Sequence, residues 1–236
     1  MTLSIIIPTY HEEAYLGRTL EAVYRRSRAT PDVVVVDCGS SDQTVAVARQ
    51  YPVTVIEDAS LKGHKWKSLN RGAAAAQGDV YLFLDADSLV PDAYDQLIDR
   101  CLAPPGVVGG AFEFAFDETG WAYALITLVN RVRYRLRKRF YGDQGIFVRR
   151  TTFEQVGGWP PLDIMEAAYF CQALQAIGQL RLIGSPLKTS TRRFAEGGIA
   201  RVFWHDLIIW ATDVLGQDTQ RFARAYWQHS EQRRGR

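Results

Sequence analysis

Four consecutive valines at positions 33–36 constrain this chain most. An unbroken run of β-branched residues suits a strand buried on both faces of a sheet, and such strands need helices on both sides. The flanking sequence supplies them. Residues 3–7 read as a buried strand stopped by Pro8. Leu16, Leu20, Val23 and Tyr24 then recur at helical spacing, which predicts a helix to about Arg26. A second helix begins near Gln43, where the Ser and Asp of 37–42 can cap it. Residues 53–56 make a third strand, and an alanine-rich helix over 65–76 leads to Gly78 and a fourth apolar run, 79–84. Strand and helix alternating in this way predict parallel strands joined by right-handed crossovers, an α/β fold.

Each predicted strand end carries polar residues, at 9–13, 37–42 and 85–87. In a parallel sheet these ends lie on one edge, where ligands bind. Asp85 and Asp87 stand one residue apart. Two such acids need a counter-charge, and a divalent cation carrying a phosphate supplies one. The same pair suits a plain polar turn in which Asp87-Ser88 caps the next helix, and the residues alone leave both readings open.

The chain of 236 residues is 47% hydrophobic and 23% charged, enough to bury a sizeable core. A formal net charge of +2 does not suggest a nucleic-acid partner. Cys38, Cys101 and Cys171 are odd in number and lack the spacing of structural zinc or of a disulfide framework. The first eight residues carry no basic n-region, and no segment approaches a membrane span. A reduced, cytoplasmic setting is therefore expected.

Beyond Asp87, Pro91 can open a helix to about Cys101, and Pro104-Pro105-Gly106 breaks it. Residues 110–116 alternate, predicting a half-buried strand with Phe112, Phe114 and Phe116 on one face. A mainly apolar helix runs from Thr119 through Trp121, Leu125 and Val129 into a run of six cations at 131–139. A solvated face is the default for such a run, and contact with anionic lipid or a phosphorylated acceptor is the sharper alternative. A short strand is expected at 146–148, and Thr151 with Glu154 has capping-box spacing for a short helix. A Gly-Gly-Trp-Pro-Pro turn follows at 157–161, then a helix over 165–177, a strand near 181–183, and helix again from about Gly197 with Trp204, Ile208 and Trp210. The end, 232–236, is expected to fray. The four histidines have no metal-site spacing, though His205 is placed to add a ligand from the C-terminal helix. Arg192-Arg193 can face a diphosphate or pair with acids.

Taken in order, several stretches resemble family-2 glycosyltransferases of the GT-A fold. They are Ser4-Ile5-Ile6-Ile7-Pro8-Thr9-Tyr10, Val35-Val36-Asp37 with Ser40-Ser41-Asp42-Gln43-Thr44, and Lys65 with Leu69-Asn70-Arg71-Gly72-Ala73. Gly78-Asp79 through Leu84-Asp85-Ala86-Asp87 continues the series. Tyr141-Gly142-Asp143-Gln144-Gly145 and Gly157-Gly158-Trp159-Pro160 with Met165-Glu166 resemble the radical-SAM/selenodomain-associated transferase 2 subgroup. The resemblance runs to about Trp227 and implies a single GT-A domain over 1–236, a Rossmann-like, mainly parallel sheet with flanking helices. Within it, 1–90 would bind nucleotide, 91–195 would face the acceptor, and 196–236 would add C-terminal helices.

The implied reaction is inverting transfer of a sugar from a UDP- or GDP-sugar to an acceptor hydroxyl, assisted by Mn2+ or Mg2+. The resemblance assigns Pro8, Thr9, Tyr10, Glu12 and Asp37 to the nucleoside, Asp85 to the ribose side and Asp87 to the metal. Asp85 and Asp87 together form the D-x-D pair. Lys65 would contact the donor, with Lys62, His64 and Lys67 as rivals, and Asp143 and Gln144 would lie on the acceptor side. The acceptor itself is open and includes a lipid-linked one, with peripheral contact at the inner face of the membrane.

This chain departs from the pattern where the base is expected. The subgroup has a Glu-Asp pair after the Gly-Gly-aromatic-Pro turn, but here Ala167 follows Glu166. Glu166 is then the candidate base, against the alternative that it only caps or bonds a loop. His11, Cys38 and Gln43 replace a usual Asn, Gly and Gly. The rival functions are a non-catalytic nucleotide-sugar-binding protein and, with less support, a nucleotidyltransferase, whose glycine-rich basic loop residues 9–17 do not supply.

Overall fold

The computed structural model describes residues 1–137 and 139–223. The expected fraying at 232–236 lies outside them. Four parallel strands form the first half of the sheet: β1 (Leu3–Thr9), β2 (Asp32–Asp37), β3 (Thr54–Glu57) and β4 (Val80–Phe83), in the order β3-β2-β1-β4. Helices α1 (Leu16–Arg26), α2 (Thr44–Ala48) and α3 (Lys65–Ala75) are the crossovers. The cap position of α2 is Gln43, which makes no side-chain cap bond; Asp42 just before it instead closes a turn, its Oδ1 accepting from the Thr44 amide at 3.0 Å.

The chain continues through β5 (Ser88–Leu89), α4 (Tyr94–Leu102), β6 (Val107–Phe116), α5 (Trp121–Arg137), β7 (Ile146–Arg149), α6 (Arg150–Gln155) and α7 (Glu166–Gln175). It ends with β8 (Gln179–Thr189), α8 (Arg192–Gly197) and α9 (Ile199–Val214). Among the described residues the sheet has eight strands, ordered β3-β2-β1-β4-β7-β6-β8-β5. Strand β7 runs antiparallel to both neighbours, with Ile146 opposite Phe83. It therefore begins on the edge where β4 ends, so the turn Gly142–Gln144 that precedes it falls beside Asp85. The two-residue β5 pairs antiparallel with the end of β8, Ser88 opposite Thr189, which brings the start of α8 to Asp87.

The period-two burial of a strand separates two cores. Ile6, Val34 and Val36 pack on one side with Leu69 and Ala73 of α3, while Ile5, Ile7, Val33 and Val35 pack on the other with α1 and α4. Helix α3 lies so close to the sheet that a Cβ at Gly72 would stand 2.4 Å from Ile6 Cγ2, so only glycine fits. On the same side an aromatic group joins three elements. Phe83 of β4 meets Trp159 edge-on at 4.9 Å between centroids, and Trp159 stacks on Phe170 of α7 at 4.3 Å. Such pairs are worth about 1 kcal/mol each beyond their buried area. Here they lock the strand that ends in Asp85 to the helix that begins at Glu166.

Helix α5 is attached differently. Glu113 of β6 is buried and meets the Tyr134 hydroxyl, Arg131 Nε at 3.0 Å and Arg135 Nη2 at 2.6 Å. Ion pairs from Arg131 and Arg135 to this carboxylate thus help hold the helix, with Ile126 and Tyr134 in the core beneath it.

Several expectations are corrected. Ser88 enters β5 instead of capping a helix, and α4 starts at Tyr94, three residues after Pro91. Strand β6 is buried nearly throughout, with Phe112 in one core and Phe114 and Phe116 in the other, where the pairing with β8 shifts register between Phe112 and Glu113. Helix α6 begins at Arg150, so Thr151 and Glu154 form no capping box, and Glu154 instead bonds Arg150 Nε at 2.8 Å. Strand β8 is eleven residues long, far beyond 181–183, because its irregular pairing hides the alternation. The basic run is not simply a solvated face, since Arg131 and Arg135 hold Glu113 and Arg139 Nη1 reaches Asp213 at 3.1 Å.

Candidate active site

The strand ends converge on one cavity of about 710 Å³. Its lining takes Pro8 to Glu12 from the end of β1, Asp85 to Asp87 from the end of β4, and Gly142, Asp143 and Gln144 from the turn before β7. Glu166 opens α7 there, and Arg192 opens α8. Lys65 reaches in from the first residue of α3. Of the residues assigned from sequence, the cavity gathers all but Asp37.

Asp37 lies below the loop it stabilises. Its carboxylate accepts from the Gly39 amide at 3.0 Å, the Ser40 amide at 2.8 Å and the Ser40 hydroxyl at 2.5 Å. The Thr9 hydroxyl donates to it at 3.1 Å, tying the ends of β1 and β2 together. Gln144 is buried and similarly occupied, accepting from the Tyr141 amide at 3.0 Å and donating to the Phe112 carbonyl at 3.1 Å. Both residues shape the cavity by fixing its loops.

Each acid of the D-x-D pair has a cation. Lys65 Nζ donates to Asp85 Oδ1 at 2.5 Å. Arg192 Nε stands 3.0 Å from Asp87 Oδ2, and its two terminal nitrogens donate to Glu12 at 2.6 and 2.7 Å. The guanidinium also lies over the Tyr15 ring, 4.5 Å from its centroid. Burial works against this charge, but Glu12 and Asp87 outweigh it and hold Arg192 more firmly protonated than a free arginine. A Cβ on Gly142 would lie 2.9 Å from Lys65 Nζ, so the glycine leaves the ammonium its room.

Asp143 and Glu166 complete the acidic floor. Burial, then the nearby Asp85 charge, push the Asp143 carboxyl up to about 7, with Lys65 opposing. Burial also raises Glu166, again tempered by Lys65. Lys65, Asp85, Gly142 and Glu166 share the wall of a small adjoining void, which puts Glu166 close to the Lys65–Asp85 pair. Glu166 is aimed by Met165, whose left-handed backbone (φ 62°) starts α7 abruptly. The turn before it is held by Asn70, which donates to the Trp159 carbonyl at 3.0 Å and accepts its amide at 2.8 Å. Ala167 is buried against the core beside Glu166.

For a divalent ion the donor set is Asp85 and Asp87. Among the described residues no three His, Cys, Asp or Glu side chains form a closed metal cage. Two carboxylates nonetheless suit Mg2+ or Mn2+ when diphosphate oxygens and water complete the shell. These two residues fit such an ion.

Two lining residues were not singled out from sequence. Tyr15 sits under Arg192, and Arg133 of α5 lines the cavity between the rings of Tyr141 and Trp210, at 5.1 and 5.3 Å. Helical phase gave part of the signal, since Tyr134 lies half a turn from the apolar Leu125 and Arg133 adjoins it. His205 also lines the cavity from α9.

The family model for glycosyl transferase family 2 matches residues 4–154. The chain belongs to that family. Among characterised sequences it is 27% identical to glycosyltransferase AglE of Haloferax volcanii over 222 residues, covering 87% of this chain and 65% of AglE. Among solved structures it resembles Staphylococcus aureus TarS bound to UDP, at 19% identity and TM-score 0.61, over 80% of this chain and 60% of TarS. It also resembles the mannosyltransferase PcManGT of Pyrobaculum calidifontis with GDP-mannose and Mn2+, at 25% identity and TM-score 0.58, over 78% of this chain and 54% of that one. This family-2 chain thus spans about two thirds or less of the length of each. Its architecture is the GT-A fold expected from the sequence.

Proposed function

We propose that this family-2 chain transfers a sugar from a UDP- or GDP-sugar to an acceptor hydroxyl with inversion at the sugar carbon. The observation that carries it is the convergence of Asp85, Asp87, Lys65, Arg192 and Glu166 on one cavity at the carboxyl edge of the parallel strands. TarS was crystallised with UDP and PcManGT with GDP-mannose and Mn2+, which supports a nucleotide-sugar donor and a divalent ion.

In this scheme Tyr10 and the β1 end receive the nucleoside, and Asp37 keeps the loop around it rigid. Asp85 and Asp87 would hold Mn2+ or Mg2+, which when bound would supply positive charge to stabilise a leaving diphosphate. Lys65 and Arg192 lie beside the same acids and supply further positive charge where the leaving group forms. Glu166 takes the proton of the acceptor hydroxyl as it attacks from the face opposite the diphosphate. Burial raises its affinity for protons above that of an ordinary glutamate, the direction that strengthens a base. Asp143, on the same floor, orients the acceptor.

Calorimetry with UDP and GDP, with and without Mn2+, tests the donor site. We expect binding that tightens with Mn2+ and is lost in Asp87→Ala. No binding of either nucleotide under any condition would sink the proposal. Metal-dependent binding without turnover over a broad donor and acceptor panel would point to a binding protein instead.

A further inference from the structure

The outward surface of α5 has the opposite polarity from that of an ordinary surface helix. Trp121, Leu125, Leu128, Val132 and Leu136 recur at helical spacing on one stripe, and all are exposed, Trp121 by 83% and Leu136 by 75%. The buried side of the helix carries Ile126 and Tyr134, half a turn away. Helix α9 repeats the pattern with Trp204, Ile208 and the adjoining Leu215, exposed by 60%, 52% and 71%. Of the ten large apolar side chains exposed among the described residues, these account for eight. Single exposed leucines need no account, but such a concentration marks a docking surface.

The two stripes belong to one face. Ile126 and Tyr134 of α5 and Val202 of α9 lie in the same core, on the same side of the sheet. The helices also touch, through Arg133 over Trp210 at 5.3 Å, and Arg139 just beyond α5 pairs with Asp213 of α9 at 3.1 Å. Their outer stripes therefore point away from the same side of the molecule.

Charge selects the occupant. Helix α5 contains four arginines and no acid, and Lys138 and Arg139 follow it; Glu113 and Asp213 offset two of these six charges, which leaves the segment net positive. A second copy docked by two-fold symmetry would bring this basic helix against itself. A bilayer with anionic headgroups answers both the apolar stripe and the cations. Exposed tryptophans at Trp121 and Trp204 suit the headgroup level of a bilayer. No helix among the described residues is long and apolar enough to cross a membrane, so the geometry is that of lying on one.

We propose that the outer faces of α5 and α9 dock this chain onto an anionic membrane surface. The inner faces of the same helices wall the cavity, through Arg133 and Tyr134 of α5 and His205 and Ile209 of α9. Docking holds that wall about one helix diameter, roughly 10 Å, from the headgroups. The acceptor is then a hydroxyl carried on a lipid, a conclusion that rests on the proposed transfer reaction, whereas the docking does not.

Co-sedimentation of the full chain tests it, with vesicles of phosphatidylcholine alone and of phosphatidylcholine with a quarter phosphatidylglycerol. The wild type should sediment with the anionic vesicles, weaken as salt rises, and bind the neutral ones at least about tenfold less. The combined variant Leu125→Ser, Leu128→Ser, Leu136→Ser should lose about tenfold or more of the anionic binding. Its melting temperature and UDP affinity should match the wild type, because these side chains face outward. Absence of wild-type binding to either vesicle overturns the proposal, as does a triple variant that sediments like the wild type. A wild-type dimer that the triple variant splits, with no vesicle binding, assigns the face to a second copy and also overturns it. UDP binding measured on the same samples separates failure of the docking from failure of the donor site.

Discussion

Arg192 Nε lies 3.0 Å from Asp87 Oδ2, so the second acid of the D-x-D pair meets an arginine from α8, more than a hundred residues further along the chain. The same guanidinium binds Glu12 through both terminal nitrogens. The first strand, the fourth strand and the C-terminal segment are joined at one charge.

Removing that charge leaves two largely buried carboxylates facing each other. Arg192→Gln should lower stability by about 3 kcal/mol in urea unfolding, the usual cost of breaking a buried pair. It also takes the arginine away from Asp87, so Mn2+ should raise the melting temperature of the variant more than that of the wild type. Equal responses would exclude Asp87 as a metal ligand.

The raised Asp143 carboxyl sets a pH dependence with a definite sign. Between the ordinary aspartate range and about 7 the folded state holds a proton that the unfolded chain has released. Stability from this group is therefore present at low pH and is lost as pH rises toward 7. Glu166, also raised, adds in the same direction. Asp143→Asn should flatten the slope and gain about 1 kcal/mol at neutral pH, less than the full shift implies because the cavity is open to water. Denaturant midpoints across the acid-to-neutral range would check it, and an unchanged slope would count against it.

Glu166→Gln should keep UDP affinity and lower turnover by about a hundredfold or more, the ordinary contribution of a general base. Single-turnover rates beside calorimetry distinguish this from a structural fault, which would weaken both. Ala167→Asp tests whether the acid absent from this chain adds to the rate. Since Ala167 is buried against the core, that variant should also be less stable than the wild type.

Asn70 clasps the backbone of Trp159 by two hydrogen bonds. Asn70→Ala leaves an amide and a carbonyl there without their partners, at a cost of about 2 kcal/mol. Because the turn aims α7, kcat should fall while the nucleotide Kd holds. Urea unfolding and steady-state kinetics on one preparation would read both, and an unaltered kcat would make the clasp purely structural.

The parallel half of the sheet was legible because its signals are local. Valines at 33–36, the apolar run at 3–7 and the alanine-rich α3 each declare an element within a few residues, although β1 runs through Pro8 to Thr9 instead of stopping there; one edge for the polar strand ends follows from parallel topology. What escaped depends on pairing across the sheet. Nothing near Ile146 says that β7 runs backwards, yet that reversal brings Asp143 to Asp85. Strand β5 is only two residues long and exists because β8 pairs with it. For Asp37 and Gln144 the sequence supplied a residue's type and place but not the neighbouring backbone groups that engage its side chain.

Glu113 gives helix α5 an unusual independence. Its grip comes from a strand carboxylate bonding the tyrosine and arginines of one face, so the sheet makes few demands on the residues of the other. The outward stripe can then be rewritten over generations, from leucine to serine or from tryptophan to lysine, without loosening the fold. Where such a chain works in the cell could drift or be reassigned while the chemistry beneath the helix stays the same.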